Sequence, residues 1–207
     1  MTTTAPARRP RRDAAANREG ILSAAATTLA HDPHASIDTI ARAAGLSRRA
    51  LYGHFDDRDA LLREMLLAGA RRFNALAEQI ETDDDPPLAL ARLTHRLWSE
   101  AAHVQVAAAI ALDDGHLDDT ATALAPLRRC VAAIVRRGQE TDTLRTDVPA
   151  PTLSRLIEET ARTMVTRVDA ASPQARPLAV RAVLSIAGLS WRDGDALVTR
   201  LEEESPC

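Results

Sequence analysis

Lysine is missing from this chain of 207 residues: all 26 of its basic side chains are arginine. So uniform a bias reflects GC-rich coding rather than a functional demand for guanidinium groups. Cysteine is nearly missing too. Cys130 lies within a helical pattern and Cys207 ends the sequence, which excludes a disulfide framework. Aromatic residues make up 2%, and the β-branched residues that favour strands are few. With no sustained alternation of apolar and polar residues, a sheet is excluded. No apolar run approaches the roughly 20 residues that span a bilayer, and no signal peptide precedes the first helical segment. No membrane partner and a cytoplasmic location are therefore expected. A nucleophile elbow, a phosphate loop and a metal-binding helix motif are all absent as well. No catalytic residue, metal or cofactor is expected.

What remains is a helix-forming composition. Hydrophobic residues are 45% of the chain, with Ala and Leu dominant, and Arg and Glu add further strong helix formers. The expected fold class is all-α. The length suits one large or two modest domains with a real buried core. The net charge of −3 argues against a general coat for nucleic acid, but the charge is uneven. Residues 1–60 hold nine arginines and seven acids, and the rest hold seventeen and twenty-two. Four of the first group, Arg8, Arg9, Arg11 and Arg12, sit in a Pro- and Thr-containing tail. Residues 1–12 are expected to be a disordered basic arm that follows phosphates or enters a minor groove; a solvated tail is the alternative.

Residues 35–55 are the most informative stretch. Ile37, Ile40, Ala41 and Ala44 share one face at helical spacing. Gly45 follows, where a tight turn between crossed helices needs φ > 0, and Leu46 can plug the corner. Ser47 suits the N-cap of a second helix that carries Arg48 and Arg49 in its first turn and buries Leu51 and Phe55. Arginines at the start of a recognition helix suit phosphate or guanine contact. On spacing alone, a helix pair that merely builds a core explains the segment equally well.

The flanks add register. Before the pair comes REGILSAAATTLA, a helix ending in an apolar stripe, and after it LYGHF at 51–55, then Arg58, Asp59, Leu61 and Leu62. Together with Ser36, Ile37, Ile40, Ala41 and the run Ala44–Ser47, these residues resemble the N-terminal domain of the TetR family of bacterial transcriptional regulators, over about residues 14–68. Arg58 stands where most members have Lys, and Arg49 and Ala50 stand where Gly and Thr are frequent. The resemblance implies a three-helix helix-turn-helix domain at 13–60 and a C-terminal helical effector-binding and dimerisation domain at 61–207, about nine or ten helices in all. Carried over position by position, it makes Ser36, Ser47, Arg48, Arg49, Tyr52, His54 and Arg58 the residues facing double-stranded operator DNA. Arg48 and Arg49 are the base readers, and Ser36, Tyr52, His54 and Arg58 suit phosphates, with corner packing the alternative for Tyr52 and His54.

The rest of the chain reads as helices punctuated by turns. Asp13 is expected to cap the first helix, and Asp57 a fourth that runs from Arg58 to near Glu81. His31-Asp32-Pro33-His34 breaks the first helix and resembles a metal-ligand cluster only in composition. TDDDPP at 82–87 marks a boundary. Beyond it, helices are expected from Leu88 to about His103, from Val104 to Leu112, from about Leu127 to Gln139, over 151–169, over 178–190, and after an Asp193 cap. DDGHLDD at 113–119 has carboxylates enough for a divalent cation, yet lacks the alternation of a calcium loop and reads as a helix end followed by a cap.

By the resemblance, 151–169 and 178–190 form a homodimer interface, although packing within one chain explains their apolar content nearly as well. It also implies a small-molecule effector, whose pocket His95, Trp98, His103, Gln105, Thr160 and Met164 are the candidates to line; ordinary core or surface placement is the alternative for each. With so few aromatics, a small or flexible apolar effector fits better than a flat cationic drug. The function implied is a repressor released from its operator by that effector. The alternative is a regulator of the same fold with constitutive DNA binding or control by a protein partner.

Overall fold

The computed structural model describes residues 9–32, 34–80, 85–111, 117–169 and 172–204, with side chains from 18 to 100 and from 120 to 204 within those ranges. Among the described residues there are ten helices and no strand. They are α1 (Arg9–His31), α2 (Ile37–Ala43), α3 (Arg48–Tyr52), α4 (Arg58–Glu78), α5 (Pro86–Ala111), α6 (Leu117–Ala123), α7 (Ala125–Glu140), α8 (Ala150–Arg167), α9 (Ala175–Ile186) and α10 (Trp191–Glu204). None of the described helices is long and apolar enough to cross a membrane. The chain divides into two compact units, Met1–Leu66 and Leu67–Cys207, and the division falls within α4.

In the first unit, α1 buries Ile21, Ala25 and Leu29, spaced four apart so that all three fall on one face. α2 packs on α1 and α3 on α2. Ile40, Ala41, Leu51, Phe55, Leu61, Leu62 and Met65 complete the buried set. α1 begins at Arg9 rather than at Asp13, so Arg9, Arg11 and Arg12 of the expected arm continue the helix. Residues 1–8, with Arg8, lie outside the described residues.

The second unit is built around α5. Leu88, Ala89, Leu90, Ala91 and Leu93 are all buried, which covers the whole circumference of the helix and not one stripe of it. A helix start apolar all round must be surrounded, and α7, α8, α9 and α10 each pack against α5. Val131, Ile134 and Val135 of α7, Leu153 and Ile157 of α8, Val180, Val183 and Leu184 of α9, and Val198 and Leu201 of α10 close the same core.

The loop after α7 is tied down by one amide. Gln139 Nε2 donates to the carbonyls of Arg145 and Val148, both at 2.8 Å, and the Arg145 N–H donates to Ala187 O at 2.9 Å. Leu144 is thereby laid over Gly138, where an added Cβ would collide with the Leu144 side chain.

Other boundaries differ from expectation too: α4 ends at Glu78 and α9 at Ile186. The break after His103 does not occur, since no Gly, Pro or capping residue separates it from Val104, and α5 runs on to Ala111. Segment 178–190 begins three residues early, at Ala175, because Pro177 falls in the first turn where its missing N–H costs nothing. Asp193 does not cap α10. Ser190 does, its Oγ accepting from the Asp193 N–H at 3.3 Å while donating to Asp193 Oδ2 at 2.6 Å. Most of DDGHLDD lies outside the described residues, and α6 starts within it at Leu117.

Candidate nucleic-acid interface

The turn between α2 and α3 is built as the sequence anticipates. Ser36 has extended backbone and its Oγ accepts from Thr39 N at 3.2 Å; Ser47 does the same for Ala50 N, also at 3.2 Å. Each hydroxyl satisfies one N–H that the helix start would leave unbonded. Gly45 has φ +69°, a value that costs a residue with a Cβ, and it reverses the chain between the two caps. Ser36 and Ser47 therefore hold helices in place.

Arg48 and Arg49 open α3 side by side in sequence and differ in surroundings. Arg48 Nη1 donates to Asp38 Oδ2 of α2 at 3.0 Å, and the guanidinium lies over the Tyr52 ring, 5.5 Å from its centroid. The Tyr52 side chain first, then the Asp38 carboxylate, hold the Arg48 guanidinium above its ordinary value. Arg49 is exposed, with no partner for its guanidinium among the described residues. Tyr52 remains 38% exposed.

His54 is half-buried, and its carbonyl accepts from Arg18 Nη1 at 3.0 Å. Arg18 also lies over the Phe55 ring, 4.5 Å from the centroid, and reaches Glu64 Oε2 of α4 at 3.5 Å. One guanidinium from α1 thus joins the end of α3 to the second turn of α4. Arg58 is half-buried, with Nε donating to Ala35 O at 3.4 Å, so it fixes the loop before α2. Asp57 Oδ1 accepts from Ala60 N at 2.7 Å and starts α4 as expected.

The first unit therefore places Ser47, Arg48, Arg49 and Tyr52 at the start of α3, all exposed, while Ser36 and the Arg58 side chain lie at the start of α2 and His54 follows α3. Sequence reasoning overlooked Asp38 and Arg18. Asp38 sits ten residues before Arg48, a spacing that pairs residues only across the turn of two crossed helices.

The cluster His31-Asp32-Pro33-His34 is engaged locally: Asp32 Oδ1 accepts from His34 N at 3.0 Å, and His31 Nδ1 lies 2.9 Å from Thr27 O. In the second unit, Trp98 is buried with Ala175 and Ala179, and Met164, Val165 and Val168 pack against them. His95 precedes Trp98 by one turn of α5. Its Nε2 is covered and has no partner among the described residues. Burial pushes the His95 imidazole below its ordinary value, and the Arg176 charge adds to that. Thr160 Oγ donates to Leu156 O of its own helix at 2.8 Å. The structure thus brings Trp98 and Met164 together, while the side chains of His103 and Gln105 lie outside the described residues.

Residues 21–65 match the family described as bacterial regulatory proteins, tetR family. No curated protein matches the chain. Among solved structures, the chain is similar to the TetR-family transcriptional regulator PfmR from Thermus thermophilus, at 24% identity and a TM-score of 0.69, over 92% of this chain and 99% of that one. It is also similar to the transcriptional regulator FadR from Bacillus subtilis, solved in complex with stearoyl-CoA. That likeness is 15% in identity and 0.69 in TM-score, over 82% of this chain and 97% of the other. A third is a ketosteroid transcriptional regulator of Mycobacterium tuberculosis, 19% identical with a TM-score of 0.67, over 83% and 93% of the two chains. At these identities the likeness establishes a shared fold.

Proposed function

Starting from a tetR-family helix-turn-helix at residues 21–65 and the fold of that family's regulators, we propose that this chain is a sequence-specific repressor released from its operator by a small apolar effector. The observation that carries the DNA-binding part is the exposed start of α3. Ser47 and Gly45 fix the helix, Asp38 and Tyr52 engage Arg48, and Arg49 extends from the surface. Arg49 is the primary base reader, because a guanidinium can pair two donors with the N7 and O6 of guanine. Tyr52 and Arg58 contact phosphates, as does the imidazole of His54.

The protein acts as a homodimer through α8 and α9. Leu156 and Leu178, 43% and 47% exposed, are large apolar side chains left open, one on each of these helices. Two copies place two recognition helices on successive turns of the duplex, which raises the specificity ratio. The effector site is centred on Trp98 and Met164, with His95 at its polar end. FadR was solved with stearoyl-CoA, which carries a long flexible acyl chain, and the apolar cluster around Trp98 here favours an effector with such a chain.

Selecting duplexes from a random pool with the purified protein is the test. Recovery of a near-palindromic sequence is expected, and stearoyl-CoA used as the first probe should weaken its binding. Arg49→Ala should lose preference for that sequence, whereas Arg58→Ala should weaken all duplexes alike. An Arg49→Ala protein with unchanged affinity and unchanged preference would remove Arg49 from its assigned role.

A further inference from the structure

The two arginines that begin α3 differ in one respect that bears on specificity: Arg48 is held by a carboxylate and Arg49 is not. We propose that Asp38 is a specificity-determining positioning residue that holds Arg48 toward a base edge and makes it a poor phosphate contact. The inference rests on the DNA-binding reading above and deepens it.

The geometry gives Asp38 a fixed place. Its Oδ2 accepts from Arg48 Nη1 at 3.0 Å, while its Oδ1 is covered and has no partner among the described residues. With one oxygen covered, the other is the face that Asp38 turns to the guanidinium. On the other side, the Tyr52 ring lies 5.5 Å from Arg48 Cζ and limits the rotamers available to the long side chain.

Two consequences follow from elementary electrostatics. A phosphate that approaches Arg48 meets the Asp38 charge along with the guanidinium, so the net attraction is much reduced. A base edge is neutral and meets no such repulsion, and Asp38 occupies one nitrogen of a fork that carries five N–H donors. The pair therefore discriminates between the two kinds of acceptor that DNA offers. Holding the side chain beforehand also reduces the freedom it loses on binding.

The test compares a duplex selected by the wild-type protein with a random-sequence duplex of equal length, each titrated at several salt concentrations. Asp38→Asn is expected to tighten the random duplex about two- to fivefold, the scale of one exposed ion pair. It should steepen the salt slope by about 0.9, the effect of neutralising one more phosphate, and lower the ratio of selected to random affinity. Asp38→Glu, which keeps the charge, should recover part of that ratio. In an Arg48→Ala background the Asn substitution should change neither quantity. An unchanged slope and ratio in Asp38→Asn overturns the proposal, and so does an equal change in the Arg48→Ala background, which would make Asp38 a general surface charge. Circular dichroism melting checks each variant, and Asp38→Ser replaces Asp38→Asn if the latter melts below the assay temperature. A wild-type protein that binds neither duplex overturns the DNA-binding reading itself.

Discussion

Single residues set the local tolerances of this molecule, and two glycines show opposite ones. At Gly138 an added Cβ would run into the Leu144 side chain, inside the loop that Gln139 ties down. Gly138→Ala should therefore destabilise by about 1–3 kcal/mol, the usual result of overpacking. Gly20 lies in α1 with nothing within 4 Å of the added carbon, and Gly20→Ala should stabilise by up to about 1 kcal/mol through the unfolded chain. Thermal melts of both decide, and a neutral Gly138→Ala would mean that Leu144 moves aside freely. His95 makes a prediction about acid. Burial holds its folded value below the ordinary one near 6.5, so the unfolded chain takes the proton more readily. Stability is then present above about pH 6.5 and is lost as pH falls from there through the folded value. The drop in melting temperature from about pH 7 to about pH 5 should be smaller in His95→Gln; an equal drop places the sensitive group elsewhere.

At the scale of elements, sequence and structure agree at the three helix starts around the turn. Ser36, Ser47 and Asp57 cap α2, α3 and α4 as their residue types dictate, because a hydroxyl or carboxylate beside unbonded N–H groups has little better to do. Ser190 belongs with them, although its partner Asp193 looks the better cap in sequence. Ser190→Ala should cost about 0.5–2 kcal/mol, read as a lower urea midpoint; no change would mean that Asp193 replaces it. Helix ends are harder to read. α5 passes His103 without a signal because Ala and Val continue a helix as readily as they start one. Contacts that depend on how helices cross are the least legible. Arg18 reaches the His54 carbonyl 36 residues away, and no local spacing encodes such a pairing.

For the whole molecule, the division within α4 leaves a small unit whose surface carries the proposed DNA-facing residues and a larger one with its own core around α5. The proposed dimer belongs to the larger. Leu156→Glu with Leu178→Glu should yield a monomer by light scattering and weaken operator binding, since a single recognition helix loses its partner site. A double variant that remains dimeric would move the interface off these two side chains. The scarcity of aromatic residues has a practical side here. The chain's two tryptophans occupy opposite environments: Trp98 is 6% exposed within the apolar cluster, and Trp191 is 70% exposed with Arg192 stacked on its ring. Trp191→Phe would leave one indole, shielded from aqueous quenchers and seated where the effector is proposed to bind. Ligands proposed to enter that cluster could then be screened by emission colour without a label.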